Sequence, residues 1–194
     1  MQLADGPPLP FSTAGSTPFF DGLVNAGAVT SKVFTFTLST GSSRLYLGGV
    51  DPNAGTPTYV SVDSSQGFWT ASSTINGAST SSIVDTGTSL IVAPTSFAKT
   101  FFRSLGVTTF TQDGALYGAY DCSSPPSVTY KFGSFSAKLS ASTVTFGQTN
   151  DGQCVLSLVG QDTGLNAVIA GDSFLQNVHA VFDRGNNRLG FSKQ

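Results

Sequence analysis

One short segment of the sequence presents an acidic side chain in surroundings suited to proton transfer. Ile83 and Val84 predict the end of a buried strand that delivers the carboxyl group of Asp85, and hydroxyl side chains and a glycine follow in Thr86–Ser89. Gly87 permits a tight turn whose backbone N–H groups can point at the carboxylate. A carboxylate held by such donors stays ionised and keeps a fixed direction, as acid–base chemistry requires. A bare D-T-G triplet is otherwise only a turn at a strand end.

The sequence contains a second D-T-G triplet that serves as an internal comparison. Asp162 begins it, but Gly160 and Gln161 precede it in place of an apolar strand, and Leu165 and Asn166 follow in place of hydroxyl residues. We therefore predict that Asp162 lies in a surface loop and takes no part in chemistry.

Other catalytic classes have little to draw on in this sequence. His179 is the single histidine, so Ser-His and Cys-His catalysis and histidine-based metal sites are disfavoured, and we expect this residue to be a surface or strand residue. There is no G-x-S-x-G elbow and no glycine-rich phosphate loop. We expect neither a metal nor a cofactor.

Patterning along the chain predicts an all-β fold with two or three short helices. Helices are predicted from Thr17-Pro18, with Thr17 as the N-terminal cap and Gly27 at the C-terminal cap, and from Pro94-Thr95, with Gly106 after it. A turn is predicted at Asn76-Gly77. Short apolar or alternating runs predict strands at 34–38, 45–47, 59–62, 68–72, 83–84, 90–92, 128–132, 144–146, 155–159, 168–170, 180–182 and 189–191. We interpret the turn-rich stretch 51–57 as a linker.

Composition agrees with a β-rich extracellular protein. All 11 acidic residues among the 194 are Asp, which suits turns better than helices, and the chain has 22 Gly and 9 Pro. The net charge is -2 and the 9 basic residues are scattered, which argues against a nucleic-acid or anionic-lipid surface. No apolar run has the length of a membrane span. Residues 1–10 lack the apolar core of a signal peptide, so we expect a mature, processed or truncated start.

Cys122 and Cys154 are the two cysteines of the sequence. Two buried thiols are one interpretation of this pair. A disulfide is the interpretation we favour, because the composition is typical of an extracellular protein.

The segment from Ile83 to Pro94, IVDTGTSLIVAP, closely resembles the second active-site signature of the pepsin-like aspartic proteases. FFDGLVNAG and VFTFTLS, at 19–27 and 33–39, are similar to the end of that family's N-terminal lobe, and LGGVD at 47–51 to the crossing between its lobes. The run VIAGD at 168–172, followed by VFDR and RLGF, resembles the family's C-terminal run. Together these motifs extend from about Pro18 to Phe191 in the family's order.

The resemblance implies a pepsin-like lobe, a partly open β-barrel of stacked sheets. Residues 1–50 would be a remnant of the N-terminal lobe with the lobe crossing, and residues 51–194 the C-terminal lobe. It also implies a disulfide between Cys122 and Cys154. The roles it implies are Asp85 as a catalytic residue, Thr86, Gly87, Thr88, Ser89 and Gly171 as support for the catalytic loop, and Gly87, Thr88 and Ile169 as substrate contacts.

The sequence departs from the family's pattern in one respect. Its two-lobed enzymes need a first D-T-G or D-S-G and a flap hairpin with a tyrosine, and neither motif is in this sequence. The resemblance thus implies an aspartic endopeptidase for polypeptides to which Asp85 contributes one of two carboxylates. The second would come from an N-terminal lobe chain or from a second copy, as in the single-lobe retroviral relatives. An inactive binding or interaction protein is the alternative. We expect a secreted protein, or one of an acidic vacuolar or lysosome-like compartment.

Overall fold

The computed structural model describes residues 17–63, 65 and 67–194, and this part of the chain is mostly strand. It contains four α-helices: α1 (Phe19–Asn25), α2 (Thr95–Leu105), α3 (Ala141–Val144) and α4 (Asp172–Leu175). None of these helices has the length and apolarity needed to cross a lipid bilayer.

The strands of the described residues are, in chain order, β1 (Val33–Thr37), β2 (Arg44–Leu47), β3 (Thr58–Ser61), β4 (Thr70–Ile75), β5 (Ala78–Val84), β6 (Ile91–Ala93), β7 (Thr108–Gln112), β8 (Ala115–Tyr120), β9 (Thr129–Phe132), β10 (Phe135–Lys138), β11 (Thr145–Gln148), β12 (Cys154–Gly160), β13 (Val168–Ala170), β14 (Val178–Asp183) and β15 (Arg188–Lys193). The mostly-β class predicted from the patterning is confirmed.

These strands form two sheets. The smaller sheet is antiparallel and has the order β2-β1-β14-β15-β3. The larger has the order β10-β9-β4-β5-β13-β6-β12-β8-β7, and β11 pairs with β12 outside this path. In the larger sheet the pairs β5–β13 and β6–β12 are parallel. Early strands β1 and β2 therefore share a sheet with β14 and β15, so residues from both ends of the described chain fold together.

Aromatic side chains fill the space between the two sheets. Phe34 of β1 stacks on Phe182 of β14 with ring centroids 4.8 Å apart, and Trp69 meets Phe182 edge-on at 5.2 Å. A second cluster joins Phe132 of β9 to Phe191 of β15 at 4.6 Å. These rings are buried, and burial of such large apolar side chains is the main source of stability in a β-rich core.

Several local predictions are confirmed by the backbone. Gly27 and Gly106 adopt left-handed conformations (φ 65° and 69°) directly after α1 and α2. Asn76 and Gly77 also have positive φ and join β4 to β5, as the predicted turn requires. His179 lies on β14, where it is buried.

Three local predictions are wrong, each because a tertiary or backbone preference outweighs the pattern. Thr17 does not cap α1: Pro18 occupies the cap position and no side chain bonds the first turn. Val144 ends helix α3, whose first turn is capped by the hydroxyl of Ser140, and the strand begins only afterwards. The stretch 51–57 is no free linker, because Asp51 is 2% exposed and bound to Arg44, with N–O distances of 3.0 and 3.1 Å.

Candidate functional site

Asp85 lies directly after β5, near the middle of the larger sheet. Its two carboxylate oxygens are held separately: the N–H of Gly87 donates to Oδ1 at 3.0 Å and the hydroxyl of Thr88 donates to Oδ2 at 2.7 Å. Its own N–H donates to the carbonyl of Ala170 at 3.2 Å. Main chain and side chain are both fixed, so the carboxylate has one orientation and remains half-buried, open on one side.

The strand that carries Asp85 is positioned by its neighbours. Ile83 and Val84 are buried, and they pair in parallel register with Ile169 and Ala170 of β13. A strand flanked on both sides in a covered sheet needs apolar residues on both faces, which this Ile-Val pair provides. The carboxylate follows where the apolar run ends, as the sequence predicts.

Two segments of the main chain cross closely and support the turn after Asp85. A methyl group placed on Gly171 would lie 2.1 Å from the carbonyl oxygen of Thr88 and 2.4 Å from that of Leu90, so only glycine fits there. Beyond this crossing, the N–H of Asp172 donates to the carbonyl of Thr88 at 2.8 Å. Both the N–H and the hydroxyl of Ser173 donate to the carbonyl of Ser89 at 3.0 Å. The β13–α4 junction thus clamps the loop that holds Asp85.

The other residues selected from the sequence lie around the same loop. Gly87 and Ser89 are exposed, Thr86 and Thr88 are half-buried, and Ile169 is half-buried on the strand beside Asp85. Asp162, in contrast, lies in an exposed loop, where its Oδ1 accepts the N–H of Thr95 at 2.9 Å and so caps α2. The two D-T-G triplets therefore have different structural surroundings.

Asp172 is an acidic neighbour of the site that the sequence interpretation did not single out. Burial and then the negative charge of Asp85 raise the pKa of its carboxyl group. Its Oδ1 is buried without a hydrogen-bond partner among the described residues. The signal for it was its place directly after Gly171, which carries it back to the Asp85 loop. A carboxyl group whose pKa is raised therefore lies close to the carboxylate of Asp85.

Comparison with known families gives a match over most of the chain. The family model described as eukaryotic aspartyl protease matches residues 10–194. The chain belongs to the eukaryotic aspartyl protease family.

Relatives of this chain include fungal and vertebrate proteins. "Secreted aspartyl protease 1" of Malassezia globosa is 43% identical over 90% of this chain and 45% of its own length. The "Aspartic protease" of Phaffia rhodozyma is 37% identical over 91% of this chain and 47% of its own length. "Pepsin A" of Gallus gallus is 33% identical over 93% of this chain and 52% of its own length. The chain thus spans about half the length of the curated relatives it matches.

The chain also contains the predicted disulfide. Cys122, just after β8, is bonded to Cys154 at the start of β12, and no cysteine is free in the described part of the chain. The bond joins two strands that already pair antiparallel. It closes a sequence separation of 32 residues across the half of the larger sheet that lies beyond β6.

Proposed function

We propose that this chain contributes Asp85 to the carboxylate pair of an acid endopeptidase. The observation that supports this assignment is the separate anchoring of the two oxygens of Asp85 by Gly87 and Thr88, at the open end of a buried strand. The family membership of the chain supports the same assignment.

The proposed reaction needs a second carboxyl group. One ionised carboxylate must take a proton from the attacking water while a protonated carboxyl group donates to the peptide carbonyl oxygen. Two carboxyl groups a few ångströms apart share one proton, because like charges at that distance are not both stable. Asp85 would be one member, and an N-terminal lobe or a second copy of the chain would provide the other.

The proposed substrate is an extended polypeptide lying across the Asp85 loop. Gly87 and Thr88 would contact its main chain and Ile169 a side chain, since these three residues surround Asp85 and retain exposed surface. We further propose a secreted or acidic-compartment location. One relative carries the word secreted in its name, and the disulfide requires an oxidising environment.

The test compares the two D-T-G aspartates in a casein cleavage assay between about pH 3 and 6, close to the range in which carboxyl groups titrate. The chain is assayed alone and mixed with a separately produced N-terminal lobe of the Malassezia globosa relative. We expect Asp85→Asn to abolish cleavage, because the amide keeps the shape of the carboxylate and removes its proton transfer.

Asp162→Asn is the matched control, because its amide oxygen can still accept the N–H of Thr95. We expect this variant to keep full activity. Equal loss from both substitutions would contradict the assignment of Asp85. An absence of cleavage by the unaltered chain, both alone and mixed with the N-terminal lobe, would favour an inactive binding protein.

A further inference from the structure

A cavity at the β7 end of the larger sheet has no part in the proposed proteolysis. Strands β7, β8 and β11 supply most of its walls, and its volume is about 500 Å³. That volume is in the range of sites for small ligands, roughly 300–1,000 Å³. Three strands, β13, β6 and β12, lie between β5 and β8 in this sheet. At about 4.8 Å per strand, β8 is roughly 20 Å from β5, the strand that leads into Asp85.

Three aromatic rings line this cavity. Phe110 of β7 and Tyr117 of β8 are cross-strand partners, and their rings stack with centroids 5.3 Å apart and planes 17° from parallel. Phe146 of β11 completes the set and is 58% exposed. Phe110 and Tyr117 are half-buried, so the three rings give the cavity an apolar wall of which Phe146 is the most exposed part.

Carboxamide side chains accompany the rings. Gln112, Gln148 and Asn150 line the cavity and are exposed. The amide nitrogen of Gln148 lies 3.4 Å from the sulfur of Cys122, which fixes that side chain against the disulfide. Gln112 and Asn150 make no side-chain hydrogen bond within the described part of the chain. Each carboxamide offers both a donor and an acceptor.

The lining of the cavity is electrically neutral. None of its nine residues carries a formal charge at neutral pH. A charged ligand would lose water of hydration there without gaining an ionic partner. A proline-rich peptide presents mainly carbonyl acceptors and would use only the donor half of each carboxamide. Sugar hydroxyl groups both donate and accept, and the apolar faces of pyranose rings lie flat on aromatic rings, so a neutral glycan uses every group in the cavity.

We propose that this cavity binds a neutral oligosaccharide, with sugar rings on Phe146 and on the Phe110–Tyr117 pair and hydroxyl groups on Gln112, Gln148 and Asn150. Such a site would hold the chain on a glycan surface independently of peptide cleavage. Its existence does not depend on the proposed function, because it shares no residue with the Asp85 loop.

The experiment is isothermal titration of the full chain with three neutral hexasaccharides, namely cellohexaose, laminarihexaose and chitohexaose. We expect at least one to bind, and Phe146→Ala to weaken that binding about tenfold or more, through loss of one aromatic contact. Gln112→Ala should weaken it to a smaller extent. Both side chains are exposed, so neither substitution removes a core residue.

Phe19→Ala is the matched control, because Phe19 is also 58% exposed but lies on α1. We expect it to bind the same sugar as tightly as the unaltered chain. The proposal is overturned if none of the three hexasaccharides binds, if Phe146→Ala binds with unchanged affinity, or if a proline-rich nonapeptide binds more tightly than every sugar.

Discussion

Asp85 acquires its fixed orientation from two kinds of contact. The near ones come from its own turn, where Gly87 and Thr88 each bind one oxygen. The distant ones come from Gly171 and the residues after it, which meet the loop more than 80 positions later in the chain. The near contacts control direction, while the distant ones prevent the loop from moving as a unit.

Gly171→Ala tests the distant support. The added methyl group meets a carbonyl oxygen of the main chain at 2.1 Å, so the strand or the loop must move. We expect the free energy of unfolding to fall by about 1–3 kcal/mol, the usual cost of overpacking, together with loss of any cleavage activity. Urea denaturation measures the first effect.

Gly22→Ala in α1 is the control. Its added methyl group meets nothing within 4 Å, so this substitution should be neutral or stabilise the fold by about 0.5–1 kcal/mol. Equal effects from the two changes would contradict the crossing.

Asp172 gives a prediction for pH. Its pKa is raised by burial and by Asp85, so the folded chain holds this proton more tightly than the unfolded chain does. Its contribution to stability is therefore complete below the unfolded value of about 3.9 and is lost as the pH rises through the folded pKa. We expect Asp172→Asn to remove this decline, as measured by urea denaturation at pH steps from about 3 to 7.

Asp183 is the opposite case and serves as the comparison in that experiment. Burial alone would raise its pKa, but hydrogen bonds from Asn186 and Arg188 outweigh burial and hold the pKa below its usual value. The contribution of Asp183 to stability is complete above about pH 4 and is lost as the pH falls through the pKa of the folded state. Asp183→Asn should therefore cost stability at neutral pH and little in strong acid. If the free energy of unfolding depended on pH in the same way in Asp172→Asn and Asp183→Asn, the surroundings described for these two carboxyl groups would be contradicted.

Among the elements, the strands of the larger sheet beyond β6 are joined by a disulfide as well as by strand pairing. Strands β7, β8, β11 and β12 pair with one another, and a single covalent bond joins the end of β8 to the start of β12. Helix α2 packs on β8 and β12, and its buried side includes Phe101 and Phe102. The disulfide therefore adds a covalent link between two strands that already pair with each other.

Removal of the disulfide should loosen this region before the rest of the fold. For a separation of 32 residues, the chain-entropy model gives a loss of about 3–4 kcal/mol when both cysteines become serine. Thermal unfolding followed by circular dichroism measures the loss. Hydrogen exchange should show faster exchange in β7, β8 and β12 and unchanged exchange in β14 and β15. Two reactive thiols in the unreduced chain would contradict the bond itself.

At the scale of the whole molecule, β2 of the smaller sheet has no partner strand on its outer side among the described residues. Strand β2 is the outermost strand of the sheet, and its Leu45 and Tyr46 are 39% and 38% exposed. Phe19 of α1 is also exposed. Unpaired edge strands with exposed apolar side chains are places where another chain adds. In the proposed function that chain would be an N-terminal lobe or a second copy.

We therefore expect the chain to associate. Sedimentation equilibrium at acid and at neutral pH should give a mass above the monomer value of 20.0 kDa. Leu45→Lys should weaken association, because it places a charge on the edge strand, while Phe146→Ala should not. A 20.0 kDa monomer at high concentration would contradict this prediction. Cleavage of casein by such a monomer would contradict the need for a second carboxylate as well.

The sequence by itself determined the features that depend on neighbouring residues. Apolar runs located β5 and β13, glycines located the ends of α1 and α2, and the run from Ile83 to Ser89 located Asp85, because periodicity and glycine conformation act over a few residues. The Asp85 loop could be predicted in detail for the same reason: its two donors lie two and three positions along the chain.

Only the tertiary structure decided the contacts between distant residues. Asp162 caps α2 across 67 positions, Ser173 binds the carbonyl of Ser89 across 84, and the hydroxyl of Ser192 binds the carbonyl of Ala54 across 138. No local pattern encodes such a partner, because its position depends on how the two sheets pack. That packing buried Asp51 and Ala54 within the stretch taken for a linker, brought Asp172 beside Asp85, and gathered three aromatic rings from separate strands into one cavity.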